Sequence, residues 1–288
     1  MTETVRLVES FEPLIERYTG FIFDVWGTLY DGADAYPAAI KVLDRLADAG
    51  KSVAILSNSP QRPAVVETRL NKLGIDRRHY QSLVTSGGET HWHLKTRPNA
   101  FYRDLGLRVF ETGPIRFPNL LHETPFTAVS SIDDADVILN SGSENQNAVV
   151  ADFTDLLTRA KARELPMICA NPDLEVYVGD SVQVCAGSIA AAYEAINGQV
   201  FYHGKPQTAV FQTCLNDLNV GAAECLMVGD NIRTDVTGAK ALGMPALWLA
   251  DGIDRRALID KGTVRLDKAM AMAANHDLSG LYVMPRLS

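Results

Sequence analysis

Residues 21–32, read FIFDVWGTLYDG, constrain the fold of this chain more than any other stretch. Three consecutive apolar residues, Phe21, Ile22 and Phe23, have the pattern of a strand buried on both faces, and they run directly into Asp24. Gly27 then lets the backbone turn ahead of Thr28 and Leu29, so the strand ends at a loop. An ionised carboxylate at the mouth of an apolar strand carries a desolvation cost unless cations or hydrogen-bond donors meet it. Asp24 therefore needs partners from elsewhere in the chain.

The rest of the chain repeats this rhythm. Phe11, Leu14, Ile15 and Tyr18 recur at helical spacing before the strand. After it, Pro37 is placed to start a helix with Ile40, Leu43 and Leu46 on its apolar face, and Gly50 to stop it. Val53, Ala54, Ile55 and Leu56 then form a second strand ending at Ser57 and Asn58, and Pro63 opens a helix that closes at Gly74. Strands alternating with helices predict a parallel sheet. From about Thr85 the rhythm breaks into SGGE and, over residues 96–127, a stretch rich in Pro, Gly and Thr, the mark of a hinge into an insert. Inside the insert, Val137 to Leu139 and Met167 to Ala170 read as strands, and residues 188–196 as a helix. The first pattern resumes near Val200, with a helix over 208–215, strands over 225–228 and 246–249, and Asp230 just past the first of these. The expected fold is α/β: a Rossmann-like parallel-sheet core from 1–87 and 199–288, with an inserted α/β domain over 88–198.

With 288 residues and 47% hydrophobic content, the chain is long enough for two cores, and its net charge of −8 argues against broad binding to nucleic acid or anionic membrane. The first twenty residues lack the apolar centre of a signal peptide, and no later stretch is long enough to span a bilayer, so a cytoplasmic location is expected. Cys169, Cys185, Cys214 and Cys225 show no metal-ligand spacing and read as reduced, mostly buried thiols. His91 and His93 flank Trp92, but they point to different sides of a helix and have no third ligand nearby in sequence, so they read as surface histidines.

Four short stretches fall where strands should meet the carboxyl edge of a parallel sheet, where open α/β folds bind ligands: Asp24 with Trp26, Ser57 with Asn58, Lys205 in HGKP, and Asp230 with Asp235 in GDNIRTD. Taken singly, each has an ordinary reading as a turn residue, an N-cap, a solvated lysine or a helix-start acid. Taken together, in this order and around an insert, they resemble the haloacid dehalogenase superfamily of phosphotransferases and hydrolases. The runs NPDLEV, GDSVQVCAGSIAAAYEAI, FYHGKP and VGDNIRTD resemble its subfamily IIA of nucleotide, sugar-phosphate and nitrophenyl-phosphate phosphatases, with a large α/β cap, over nearly the whole chain from about residue 20.

That resemblance implies a small phosphorylated substrate, Mg²⁺ as cofactor, Asp24 as nucleophile, and catalytic roles for Ser57, Lys205 and Asp235. It implies a metal held by Asp24, Asp230 and the carbonyl of Trp26, and substrate contacts from Asn58, Asn231 and the cap residues Asn171 and Asp173, with the segment 179–187 facing substrate. Caps of this family often form dimer contacts, so a homodimer is allowed, although no residue specifies one. Physical chemistry accounts for these residue types. A carboxylate attacking phosphorus gives an acyl phosphate that water can cleave, while two carboxylates about 4 Å apart repel by roughly 4 kcal/mol at an effective dielectric near 20. A lysine and a hard cation answer that repulsion.

One residue departs from the family pattern. Two positions after the nucleophile, family phosphatases carry a second aspartate that protonates the leaving group and then activates water; here Trp26 stands there, and indole exchanges no proton near neutral pH. Nearby Asp31, or a water, is the candidate substitute. The expected enzyme is slow, narrow or biased to good leaving groups. Two alternatives follow from the same position: a non-catalytic protein that binds a phosphorylated ligand, or a 2-haloacid dehalogenase-like hydrolase, whose DxYGT motif DVWGTLYD resembles. Asp230 and the cap type argue against the second.

Overall fold

The computed structural model describes residues 4–114, 118–178 and 181–288. It divides into two compact units, one comprising Met1–Ser57, Glu67–Val84 and Lys205–Ser288, the other Asn58–Val66 and Thr85–Gly204.

The first unit is built on a seven-stranded sheet in the spatial order Val5–Leu7, Leu281–Met284, Ala246–Leu249, Cys225–Gly229, Gly20–Phe23, Ser52–Ser57, Ser82–Thr85. The pairings from Val5–Leu7 across to Ser52–Ser57 are parallel. Gly20–Phe23 lies near the centre and every residue in it is buried, as the apolar run ahead of Asp24 requires. Helices Glu12–Arg17, Pro37–Asp48 and Thr208–Leu218 follow the expected 3.6-residue spacing, as does Pro63–Lys72, whose first four residues group with the second unit. Phe11 from the lead-in packs its ring 5.8 Å from Phe21 and 6.1 Å from Phe23, tying the first helix to the central strand. Trp248 is fully buried on one face of the sheet, among Ile22, Leu56, Phe211 and Met227, and Tyr282 lies in the last strand.

The second unit carries a five-stranded sheet ordered Val200–Tyr202, Met167–Cys169, Val137–Asn140, Arg108–Thr112, Thr127–Ala128, all parallel. A separate antiparallel hairpin pairs Glu175–Val178 with Ser181–Val184. One cluster gathers Leu157, Ile189 and Tyr193 with Ile138 and Met167, and another gathers Leu94, Tyr102 and Leu105 with Val137, Leu139 and Ile168. Alternate residues of one strand enter different clusters, the signature of a sheet covered on both faces.

The sequence rhythm places Val200 at the return to the first sheet. In the structure Val200–Tyr202 pairs with Met167–Cys169, and the segment Asn58–Val66 also groups with the second unit. Strand–helix alternation runs through both sheets, so periodicity alone does not say which sheet a strand joins. The cysteines are free thiols, with Cys169, Cys214 and Cys225 buried and Cys185 partly so; burial pushes the Cys169, Cys185 and Cys225 thiols up to about 12. No helix among the described residues is long and apolar enough to cross a membrane.

Candidate active site

The strand register sets the site. Phe23 pairs with Val228, and the Asp24 N–H donates to the Val228 carbonyl at 2.9 Å, so Asp24 and Asp230 leave neighbouring central strands side by side at their carboxyl ends. The chain beyond Asp230 winds through a single π turn, Ile232–Val236, which carries Asp235 back under the strand end, where its Oδ2 accepts the Asn231 N–H at 3.1 Å. Lys205, only 1% exposed, closes the cluster. Its Nζ forms ion pairs with Asp24 Oδ1 and, at 2.7 Å, with Asp235 Oδ1, and donates to the Leu56 carbonyl at 3.1 Å.

Charge in this cluster is unbalanced. Asp24, Asp230 and Asp235 each present a carboxylate oxygen within 4.8 Å of the other two, and all three are buried. One ammonium set against three carboxylates leaves two negative charges if all are ionised. Burial, then the nearby Asp24 and Asp235, push the Asp230 carboxyl well above the ordinary aspartate range, and burial raises Asp235 against the opposing pull of Lys205. A hard divalent cation would relieve the same imbalance without a proton. The donor set is all oxygen, and Asp230 is itself held in aim, its Oδ2 accepting the Ile253 N–H at 2.7 Å and its backbone carbonyl accepting the Trp248 indole N–H at 3.0 Å. These residues fit a Mg²⁺-type ion.

Gly27 is what lets the first loop lie against Asp230. It sits at φ +81°, and a Cβ there would fall 2.2 Å from Asp230 Oδ2. Gly27→Ala is therefore expected to displace the Asp230 carboxylate and to destabilise the protein by about 1–3 kcal/mol through backbone strain. Chemical denaturation together with a Mg²⁺ titration read by intrinsic fluorescence checks this; unchanged ion affinity would sink the close-approach account.

Trp26 packs edge-on against Tyr30, with ring centroids 5.0 Å apart, and lies over Gly32, whose Cβ would meet the indole at 2.6 Å. The Tyr30 hydroxyl accepts from Arg69 at 3.2 Å. Asp31 does not offer the missing acid: its Oδ1 accepts the Ala33 and Asp34 N–H groups, each at 2.9 Å, and these bonds hold its carboxyl below the usual range. It is an ionised turn residue.

The other expected residues divide between the units. Ser57 ends its strand and is buried in the first unit. Asn58, Asn171 and Asp173 meet in the second: Asn58 Nδ2 donates to Asp173 Oδ1 at 2.9 Å, and the Asp173 N–H donates to Asn171 Oδ1 at 3.0 Å. Asn231 uses its Oδ1 to accept the Arg233 N–H at 3.0 Å, an N-cap role that accounts for it without substrate. Of the segment 179–187, residues 179 and 180 lie outside the described residues.

Two contributors escape the sequence reading. The Leu56 carbonyl and the Ile253 N–H are backbone groups and leave no compositional trace, although ALWLADG, a strand running into Gly252, marks another strand end at the same edge. The histidine expectation is corrected as well. His91 is buried, its Nδ1 on the Leu120 carbonyl at 3.0 Å, and His93 is partly buried beside Glu89 and His203. A third potential ligand lies in a distant segment.

A haloacid dehalogenase-like hydrolase family model matches residues 21–125, and a second, HAD-hydrolase-like model matches residues 202–275. The chain belongs to the haloacid dehalogenase-like hydrolases. Similar members include human chronophin, 26% identical over 97% of this chain and 94% of that protein, and the ribonucleotide monophosphatase NagD of Escherichia coli K12, 25% identical over 83% and 90%. A crystal structure of a haloacid dehalogenase-like hydrolase from Brucella suis 1330 superposes with a TM-score of 0.83 at 25% identity, covering 98% of this chain and all of that one. Within this haloacid dehalogenase-like hydrolase, Asp24 lies inside the first matched segment and Lys205, Asp230 and Asp235 inside the second.

Proposed function

We propose that this protein is a Mg²⁺-dependent phosphatase of small phosphorylated substrates, working through an aspartyl-phosphate on Asp24. The observation that carries the reading is the buried Lys205 held between Asp24 and Asp235, with Asp230 in the same oxygen cluster. The name of one relative, a ribonucleotide monophosphatase, supports the substrate class.

Asp24 attacks phosphorus, the bond from phosphorus to the departing oxygen breaks, and the phosphoryl group resides on the carboxylate. Water then attacks the same phosphorus, releasing phosphate and restoring Asp24. Lys205 holds the Asp24 carboxylate in aim and places positive charge where anion meets anion; Asp235 holds Lys205. Ser57 donates to a phosphoryl oxygen. Mg²⁺, held by Asp24, Asp230 and the Trp26 carbonyl, would stabilise charge on the transferring group. Substrate selection is assigned to Asn58, Asn171 and Asp173, which hydrogen bonds join to one another within the second unit.

Trp26 sets the leaving-group preference. Without a positioned acid, loss of an alkoxide is slowed by about 10²- to 10⁴-fold, whereas an aryloxide or acyl anion leaves without a proton. In a Mg²⁺-dependent release screen over sugar, nucleotide, aryl and acyl phosphates, aryl and acyl substrates are expected to exceed alkyl ones by about 10²-fold or more. Equal rates would refute this role for Trp26, and no release from any of them would refute the phosphatase reading.

A further inference from the structure

The second unit holds another cluster of potential ligands, made of Glu89 and His93 on helix Ser86–Thr96 and His203 just past strand Val200–Tyr202. One ligand atom from each lies within 4.8 Å of those from the other two. We propose that Glu89, His93 and His203 bind a borderline divalent transition-metal ion, with Zn²⁺ the best fit, at a site separate from the aspartate cluster.

Helix geometry supplies the first pair. Glu89 and His93 are four residues apart and so share a face. His203 comes from a remote segment, and its Nδ1 lies 3.2 Å from Glu89 Oε2. Zinc bonds of about 2.0–2.1 Å in a tetrahedron put neighbouring ligand atoms roughly 3.3 Å apart. The spacing already matches that edge.

Each imidazole is also held as metal-bound histidines are, with one nitrogen fixed by an oxygen and the other left to ligate. His93 Nδ1 donates to the Glu89 carbonyl at 3.0 Å, which leaves Nε2 with its lone pair. His203 Nε2 meets the buried Tyr102 hydroxyl, so in the metal-bound form Nε2 keeps the ring's one proton and donates it to the Tyr102 oxygen, while Nδ1, which faces Glu89, presents the lone pair that ligates. The His93 and His203 rings lie 4.5 Å apart. Glu89 is braced by the Gly204 N–H, which donates to Oε2 at 2.8 Å. Two nitrogens and one carboxylate favour Zn²⁺, Co²⁺ or Ni²⁺ over Mg²⁺ or Ca²⁺, which prefer oxygen throughout. The ion would tie helix Ser86–Thr96 to the end of strand Val200–Tyr202 and leave a fourth position for water.

The test is a Co²⁺ titration of the full, chelator-washed chain in saturating Mg²⁺, which keeps the oxygen cluster filled. One equivalent is expected to bind with visible d–d absorption, and the wild-type proton spectrum to show hyperfine-shifted imidazole N–H signals from two histidines. His93→Ala is expected to weaken Co²⁺ binding by about tenfold or more, while Asp230→Asn leaves it unchanged. Absence of shifted imidazole signals in the wild type overturns the proposal regardless of how any variant folds. So does Co²⁺ binding that survives His93→Ala and disappears with Asp230→Asn.

Discussion

Asp24→Asn is expected to lower phosphate release by roughly 10⁴-fold or more, in line with the loss seen when a covalent nucleophile is removed. The amide cannot form the acyl phosphate, and half of the Lys205 charge pairing goes with it. The fold should survive. Asparagine keeps the shape of the side chain, and the bond that aligns the strand end, from the residue 24 N–H to the Val228 carbonyl, belongs to the backbone. Removing one of three clustered carboxylates also relieves repulsion of a few kcal/mol at about 4 Å separation. In metal-free buffer the variant should therefore melt no lower than the native protein. Acid-quenched labelling from a phosphorylated substrate provides a second readout, with the native chain retaining label and the variant none. A variant within tenfold of native activity would exclude Asp24 as nucleophile.

Lys205→Met should affect activity and stability together. Methionine fills most of the volume but leaves Asp24 and Asp235 without the ammonium that contacts both. Breaking a buried ion pair from one side costs about 3–5 kcal/mol, and losing a preorganised charge at the transferring group costs roughly 10² to 10³ in rate. The stability loss should depend on pH in a definite direction. Asp235 is raised above 3.8 by burial, and Lys205 opposes that rise, so removing the lysine lifts the folded-state value further. A carboxyl whose folded value exceeds its unfolded one contributes stability that is complete below the unfolded value and lost as pH rises through the folded one. The deficit of the variant against native protein should therefore shrink on acidification, being smaller at about pH 5 than at about pH 8 in urea melts. A deficit under about 1 kcal/mol, or one that does not change with pH, would mean that Lys205 is not the compensating charge.

Much of the first unit is legible along the chain because local physics dictates it. Phe21, Ile22 and Phe23 cannot sit anywhere but in a buried strand, and Pro37 opens a helix because it stands at a first turn. The same logic exposes Asp24, Lys205, Asp230 and Asp235 as residues too costly to bury without one another. Local pattern fails where the deciding partner is distant or carries no side-chain signature. His93 looks like a surface residue until His203, more than a hundred positions away, is folded against it. Asp31 looks like a spare acid until two backbone N–H groups hold it ionised.

The sequence by itself determined the element types, the parallel α/β class and the charges that had to be reconciled, because burial cost and backbone preference act residue by residue. Only the tertiary structure decided which charges meet, which sheet Val200–Tyr202 joins and what orients Asp230. Those outcomes depend on strand register and on backbone groups such as the Ile253 N–H, and they become definite only when segments far apart in the chain are brought within hydrogen-bond distance.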